Sequence, residues 1–182
     1  MSKSKNLVLI ALFVTLLCVS GLFLKITFIP PVPFTMLTFF VVLGSALLGA
    51  KRSCIGCLVY LFMGTVAHLP VFTKGGGFWY VLEPTFGYIL ALPFVSLLCG
   101  YLVNKFKQKT VIVFLFFLLS EILILIIGSL YAFVVFSLTT GVANPWTFVL
   151  TFFIMFLPSD ILKAALAVLA YKPLSKTNLF NF

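Results

Sequence analysis

Long apolar runs, separated by short segments rich in charge, proline or glycine, divide the chain into six parts. The runs lie near residues 6–25, 36–50, 53–68, 84–103, 110–137 and 145–172. A helix needs about 20 mostly apolar residues to cross the ~30 Å hydrocarbon core of a bilayer. We therefore predict six transmembrane helices with short connections, forming a single transmembrane domain over residues 1–182.

Composition places the whole chain in a membrane. Of its 182 residues, 63% are apolar and only 8% are charged, and the mean hydropathy is +1.30. A soluble domain cannot cover its surface with so few polar residues. The expected fold is an all-α integral membrane bundle surrounded by a lipid bilayer.

The positive charge of the chain indicates its topology. The net charge is +9, but the cations lie almost entirely at the ends of apolar runs, so no nucleic-acid partner is expected. With a cytoplasmic N-terminus, the inner side carries Lys3, Lys5, Lys51, Arg52, Lys105, Lys107, Lys109, Lys172 and Lys176. The outer side carries only Lys25 and Lys74. Because cytoplasmic loops hold the excess of Lys and Arg, both termini are predicted to be cytoplasmic.

The predicted outer connections have the composition of a lidded small-molecule site. Residues 26–35 are rich in proline, and the glycine run 75–77 is followed by Phe78, Trp79 and Tyr80. Glycine lets backbone approach a ligand, and aromatic side chains exclude water. The alternative is an aromatic belt at the membrane interface.

Two opposite charges lie inside the last apolar run. Asp160 and Lys163 are three residues apart and therefore project from one helix face. Ionisable groups in a membrane interior are costly, so they are candidates for function. The pair suits a ligand with N–H donors at one end and a carboxylate at the other. The alternative is a structural ion pair without a ligand. Glu121, in the fifth run, has no obvious partner in the sequence.

Other motifs predict no catalysis, cofactor or metal site. Cys54 and Cys57 have metal-ligand spacing, but no second ligand pair accompanies them, and the chain has a single histidine, His68. The Gly44 to Lys51 segment resembles a phosphate-binding loop, but it has the wrong spacing and ends an apolar helix. The sequence contains no nucleophile elbow and no paired carboxylates, so binding is favoured over an enzyme activity.

Five stretches, in order along the chain, resemble the BioY family, the biotin-specific substrate-binding (S) components of energy-coupling factor (ECF) transporters. They are PVPFT at 31–35, LLGAKR at 47–52, LPVF at 69–72 before the glycine run, PTFGY at 84–88 and FLPSDILKA at 156–164. The resemblance runs from about Leu24 to Pro173. The chain departs from the family at Glu83, Phe86 and Leu37, where glycine, glycine and glutamine are usual.

The resemblance implies a six-helix S component whose outward-facing pocket is closed by the loop after the third helix. Asp160 is then expected to hold the ureido ring of biotin, and Lys163 the valerate carboxylate. Lys74 is a second cationic contact, and Trp79 and Tyr80 stack on the bicyclic ring. The further predicted biotin contacts are Thr35, Gly75, Gly76, Thr85 and Tyr88.

The resemblance also implies partners. S components dock on a transmembrane coupling subunit through small residues four apart in the first helix, here Ala11 and Thr15, and two ATPase subunits supply energy. The expected location is the bacterial cell membrane. Three alternatives stay open: an S component for another vitamin, a solitary biotin facilitator, and a structural membrane bundle.

Overall fold

Each of the six apolar runs forms a helix. The computed structural model describes residues 3–23, 25–26, 34–106, 110–140 and 144–177. The helices are α1 (Lys3–Leu22), α2 (Leu37–Leu48), α3 (Ala50–Thr65), α4 (Phe86–Lys105), α5 (Thr110–Thr140) and α6 (Pro145–Leu174). Their ends lie within three residues of the predicted spans. The prediction of an all-α six-helix bundle is confirmed.

The connections contain little further regular structure. Strand β1 (Lys25–Ile26) pairs antiparallel with β2 (Phe34–Thr35), directly before α2. A short 3-10 helix, Phe78–Leu82, follows the glycine run and leads into α4. The proline-rich residues 27–33 lie outside the described residues.

Four helices have the length and composition to cross a membrane: α1, α4, α5 and α6. The other two are shorter, with 12 residues in α2 and 16 in α3. Only Gly49 separates them, and its φ of 82° is a backbone conformation that favours glycine. At 1.5 Å per residue, α2 extends only ~18 Å, much less than a bilayer core.

The short α2 begins beside the middle of α6. Thr38, in the first turn of α2, contacts Lys163, which lies ~27 Å along α6 from its first residue at 1.5 Å per residue. The start of α2 therefore lies deep within the bundle. A gap remains between α2, α4, α5 and α6 at this depth.

An apolar core fills the far end of the same four helices. Its buried side chains are Val42, Leu43, Ala46, Leu47, Cys99, Val103, Val113, Phe117, Ala164, Ala167 and Val168. They come from the C-terminal halves of α2, α4 and α6 and from the start of α5. This cluster packs the four helices against each other at that end.

The outer surface of the bundle is apolar as well. Large side chains such as Leu7, Phe94 and Leu138 are 73%, 71% and 83% exposed. Apolar surface that extends over whole helices is incompatible with water and expected against lipid. The chain is a membrane protein.

Candidate binding site

A cavity occupies the gap between the start of α2 and the middle of α4, α5 and α6. It encloses about 650 Å³ when the solvent at its mouth is included. Its lining residues are Thr35, Leu37, Thr38, Thr73, Thr85, Tyr88, Ile89, Leu92, Glu121, Ile124, Leu125, Phe156, Asp160 and Lys163. Five of the predicted site residues are among them: Thr35, Thr85, Tyr88, Asp160 and Lys163.

The Asp160 and Lys163 side chains form an ion pair inside this cavity. Lys163 Nζ lies 2.6 Å from Asp160 Oδ1. The Lys163 side chain is 7% exposed and the Asp160 side chain 8%. Lys163 also donates a hydrogen bond to Thr38 Oγ1 at 2.9 Å. Ser159 donates to Asp160 Oδ1 at 3.4 Å. Because the two charged atoms are only 2.6 Å apart, both groups face the same point of the cavity. In this arrangement they do not contact opposite ends of a ligand.

Glu121 brings a second carboxylate to the same cavity. It is 1% exposed, and its Oε1 atom has no hydrogen-bond partner among the described residues. The Thr38 hydroxyl, Lys163 and Asp160 all lie close enough to act on the Glu121 carboxylate. The whole chain contains three acidic residues, so two of the three line one cavity.

Tyr88 adds a polar group to the cavity wall. Its hydroxyl is buried and has no hydrogen-bond partner among the described residues, and it lies near the Asp160 carboxylate. Its ring lies directly against Gly128 of α5, where any side chain would collide with it. Gly128 therefore allows the close helix approach that positions Tyr88.

The predicted loop residues lie away from the cavity lining. Lys74 Nζ pairs with Glu83 Oε2 at 2.9 Å, and both side chains are exposed. Trp79 is 80% exposed. Gly75 pairs with Phe72 through backbone hydrogen bonds, and Gly76 lies against the Leu69 carbonyl. The structure thus separates these four residues from the Asp160 and Lys163 pair.

Tyr80 connects the loop to the cavity indirectly. It is buried, and its hydroxyl lies 3.1 Å from Thr85 Oγ1, which lines the cavity. Its ring packs on Phe72 and Phe86. Burial raises the pKa of the Tyr80 hydroxyl, so the group stays neutral. Tyr80 supports Thr85 but is not part of the cavity lining.

The departures from the family pattern have structural partners. Leu37 lines the cavity. Phe86 is buried between Tyr80 and Tyr131, and Glu83 is the partner of Lys74. Of these three residues, Leu37 alone is among the lining residues of the cavity.

The predicted docking residues lie on one exposed face of α1. Ala11 and Thr15 are both exposed, and the Thr15 hydroxyl donates to the Ala11 carbonyl at 2.9 Å. This bond satisfies the hydroxyl within the helix. The face is accessible both to lipid and to a protein partner.

Sequence reasoning named Glu121 as an ionisable candidate without assigning it a contact and left out Thr38 and Thr73; all three line the cavity. Glu121 carried the available signal, because a carboxylate in a membrane span is a functional candidate by itself. Thr38 and Thr73 carried none, since a single threonine in or beside an apolar run is ordinary. Thr38 meets Lys163 across 125 residues of chain, and no local pattern indicates such a contact.

Together the fold and the cavity define a class: a multi-pass membrane protein with a charged, buried cavity between its helices. Comparison with known proteins assigns the family. The BioY family model matches residues 1–179. The chain belongs to the BioY family.

Relatives and a solved structure agree with this assignment. A probable biotin transporter BioY of Lysinibacillus sphaericus is 36% identical over 164 residues, which cover 90% of this chain and 81% of that protein. The biotin transporter BioY of Rhizobium etli is 32% identical over 174 residues, covering 92% and 91%. The crystal structure of the S-component for biotin from an ECF-type ABC transporter matches with a TM-score of 0.81 and 26% identity, covering 99% of this chain and 97% of that one. The predicted S-component fold is confirmed, and so is the prediction that the chain is not an enzyme.

Proposed function

We propose that this chain is the biotin-binding S component of an ECF-type transporter and captures biotin in the cavity between α2, α4, α5 and α6. The observation that carries the proposal is the Asp160 and Lys163 ion pair, held in the lining of that cavity. A structural pair has no need of open space beside it. The names of the relatives supply the ligand: one is a probable biotin transporter, one is a biotin transporter, and the solved neighbour is an S-component for biotin.

The geometry favours the ureido ring as the end of biotin that meets this pair. The ureido group offers two N–H donors and one carbonyl acceptor, and a carboxylate beside an ammonium group matches both. Since Asp160 Oδ1 and Lys163 Nζ are 2.6 Å apart, one compact ligand group contacts both without separating them. Lys163 then donates to the ureido carbonyl, and Asp160 accepts from an N–H.

The valerate carboxylate then points toward the loops. Three threonines line the cavity there: Thr35 in β2, Thr73 in the loop after α3, and Thr85 directly before α4. Their hydroxyls are hydrogen-bond donors for an anion. Lys74 adjoins Thr73 in sequence and reaches the carboxylate only after leaving Glu83. The far end of the bundle is closed by the apolar core.

Delivery of biotin requires partners. In this proposal both termini are cytoplasmic, the loop end of the cavity faces outward in a bacterial cell membrane, and α1 docks on a coupling subunit through the face of Ala11 and Thr15. Two ATPase subunits supply the energy for accumulation. Small residues at a helix surface allow the close approach that such docking needs.

Equilibrium titration of the purified chain with biotin, biotinol and unrelated vitamins tests the proposal. Biotin is expected to bind with one site per chain and the unrelated vitamins with none. Biotinol lacks the carboxylate, so replacing Lys163 should weaken biotin and biotinol equally if the lysine meets the ureido end. A larger loss for biotin would assign Lys163 to the carboxylate instead, and no binding of biotin would contradict the proposal.

A cellular measurement separates an obligate complex from a solitary facilitator. Uptake of labelled biotin is compared in cells that hold this chain alone and in cells that also hold the coupling subunit and the ATPases. Concentrative uptake should require all of them, since the chain has no nucleotide-binding motif. Equal accumulation with the chain alone would support the solitary alternative.

A further inference from the structure

The cavity lining contains two acidic side chains and one lysine, although one acidic side chain is enough to neutralise the lysine. Asp160 is already paired with Lys163 at 2.6 Å. Glu121 lies close enough to Lys163 and Asp160 to interact electrostatically with both. The Oε1 atom of Glu121 is buried and has no hydrogen-bond partner among the residues that the structure describes. A buried acceptor of this kind destabilises the protein unless something satisfies it.

The Thr38 hydroxyl is within hydrogen-bonding reach of the Glu121 carboxylate, so the unpartnered Oε1 atom is the part of Glu121 that points to a ligand. Glu121 lines the cavity together with Asp160 and Lys163. Thr38 lies beside it and already receives the hydrogen bond from Lys163. The Oε1 atom of Glu121 is left without a hydrogen-bond partner among the described residues, in the wall of the cavity where a ligand group fits.

We propose that Glu121 is a binding residue of this site and accepts one ureido N–H of biotin while Asp160 accepts the other. This inference rests on the proposed function and deepens it. Two carboxylates match the two N–H donors of a cyclic urea, and the Lys163 ammonium in the same cavity matches its single carbonyl oxygen. The site thus recognises the whole hydrogen-bonding edge of the ureido ring.

The same arrangement determines orientation and specificity. Two carboxylates and one ammonium repel a second anion, so the valerate carboxylate is excluded from this end of the cavity. A ring with only one N–H leaves one carboxylate without a donor, and a buried unpaired acceptor disfavours that ligand strongly. Each ureido N–H of biotin should therefore donate to a different acidic residue, one to Asp160 and the other to Glu121.

Glu121→Gln keeps the shape of the side chain and removes its charge. The dissociation constant for biotin is expected to rise about tenfold, because the amide oxygen of Gln accepts a neutral hydrogen bond in place of the stronger one to a carboxylate. An unchanged dissociation constant would overturn the inference. Ser129→Ala is the matched control on α5, because Ser129 is buried but bonds to the Ile126 carbonyl of its own helix. It should bind biotin like the unmodified chain.

Glu121→Ala with methylated ligands separates contact from support. The probes are two biotin derivatives, each methylated at a different ureido nitrogen. In the unmodified chain both methyl groups weaken binding. In Glu121→Ala the missing side chain makes room, so the penalty should fall at least tenfold for one isomer and persist for the other. Asp160→Ala should show the opposite selectivity, and Ser129→Ala should keep both penalties.

Each result has a defined meaning. Relief confined to one isomer supports a direct contact, since a residue that only supports the fold would change both isomers alike. Equal penalties in Glu121→Ala and in the unmodified chain would overturn the inference while leaving biotin binding itself intact. Failure of the unmodified chain to bind biotin would overturn the proposed function and this inference with it. Monodisperse elution and the unfolding temperature without ligand show that each variant is folded.

Discussion

Two ion pairs of similar length lie in very different surroundings. Asp160 and Lys163 are 2.6 Å apart and less than a tenth exposed, whereas Lys74 and Glu83 are 2.9 Å apart and 39% and 40% exposed. Water screens the second pair, and such pairs contribute little to stability or binding. The first pair has lost its water and depends on its partners. Both lysines were predicted to contact biotin. The prediction for Lys163 has the stronger structural support, because Lys163 is buried in the cavity wall and Lys74 is exposed.

The largest expected effect comes from breaking the buried pair. Lys163→Met leaves the carboxylates of Asp160 and Glu121 without their cation, so it should destabilise the chain by about 3–5 kcal/mol. Asp160→Asn leaves Lys163 near the Glu121 carboxylate and should destabilise the chain less. Each should also weaken biotin binding about a hundredfold or more. Thermal unfolding without ligand and titration calorimetry measure the two effects.

The double variant Asp160→Asn, Lys163→Met separates structure from binding. It removes both charges, so most of the lost stability should return. Biotin binding should stay weak, because the donor to the ureido carbonyl is gone and a neutral amide replaces the carboxylate that accepts from the N–H. A double variant that regains both stability and biotin affinity would show that the pair is only structural.

A smaller effect is expected at Thr38. Thr38→Val keeps the volume but removes the acceptor that Lys163 uses at 2.9 Å. Loss of a hydrogen bond to a charged group is worth about 1.5–3 kcal/mol, so the dissociation constant for biotin should rise roughly tenfold or more. Thr139→Val, exposed near the end of α5 and bonded within its own helix, is the control and should bind normally. Equal affinities for the two variants would remove Thr38 from the site.

Tyrosine hydroxyls provide a matched contrast between function and packing. Tyr88→Phe removes a hydroxyl without a partner among the described residues, so unfolding should be unchanged while biotin binds about three- to tenfold more weakly. Tyr60→Phe removes a hydroxyl that donates to the Val71 carbonyl at 3.1 Å, so it should lose about 1 kcal/mol of stability and keep its affinity. The reverse pattern in unfolding and calorimetry would contradict these roles.

The smallest effect is expected at the exposed pair. Lys74→Met should change stability by less than about 1 kcal/mol and biotin affinity by no more than a few-fold, with similar values for biotinol. Glu83→Gln is the matched variant, since it frees Lys74 without removing it. A large loss for biotin alone in Lys74→Met would place Lys74 on the ligand carboxylate.

How much of this the sequence could predict depends on the range of the contacts. Apolar runs predict helices because each helix satisfies its own backbone hydrogen bonds within a lipid environment. The i, i+3 spacing of Asp160 and Lys163 likewise predicts a shared face. The meeting of Glu121, Thr38 and Lys163 depends on how four helices pack, which no local pattern indicates. Gly75, Gly76 and Trp79 were predicted as biotin contacts from the composition of their loop. Composition does not determine which side of a loop faces the cavity.

The short α2 shows the same limit. Its run of apolar residues predicts a helix, and the structure has one at Leu37–Leu48. That its start lies deep in the bundle, beside Lys163, follows from packing against α4 and α6. The cavity exists because of this placement, so the pocket could be inferred from the sequence only through its charges.

A structure of the chain with bound biotin tests the central claim most directly. The account predicts the ureido ring in the cavity, its oxygen within about 3 Å of Lys163 Nζ and its nitrogens at similar distances from Asp160 and Glu121. The valerate carboxylate should point toward Thr35, Thr73 and Thr85. Biotin bound outside this cavity, or with its carboxylate against Asp160 and Glu121, would contradict the account.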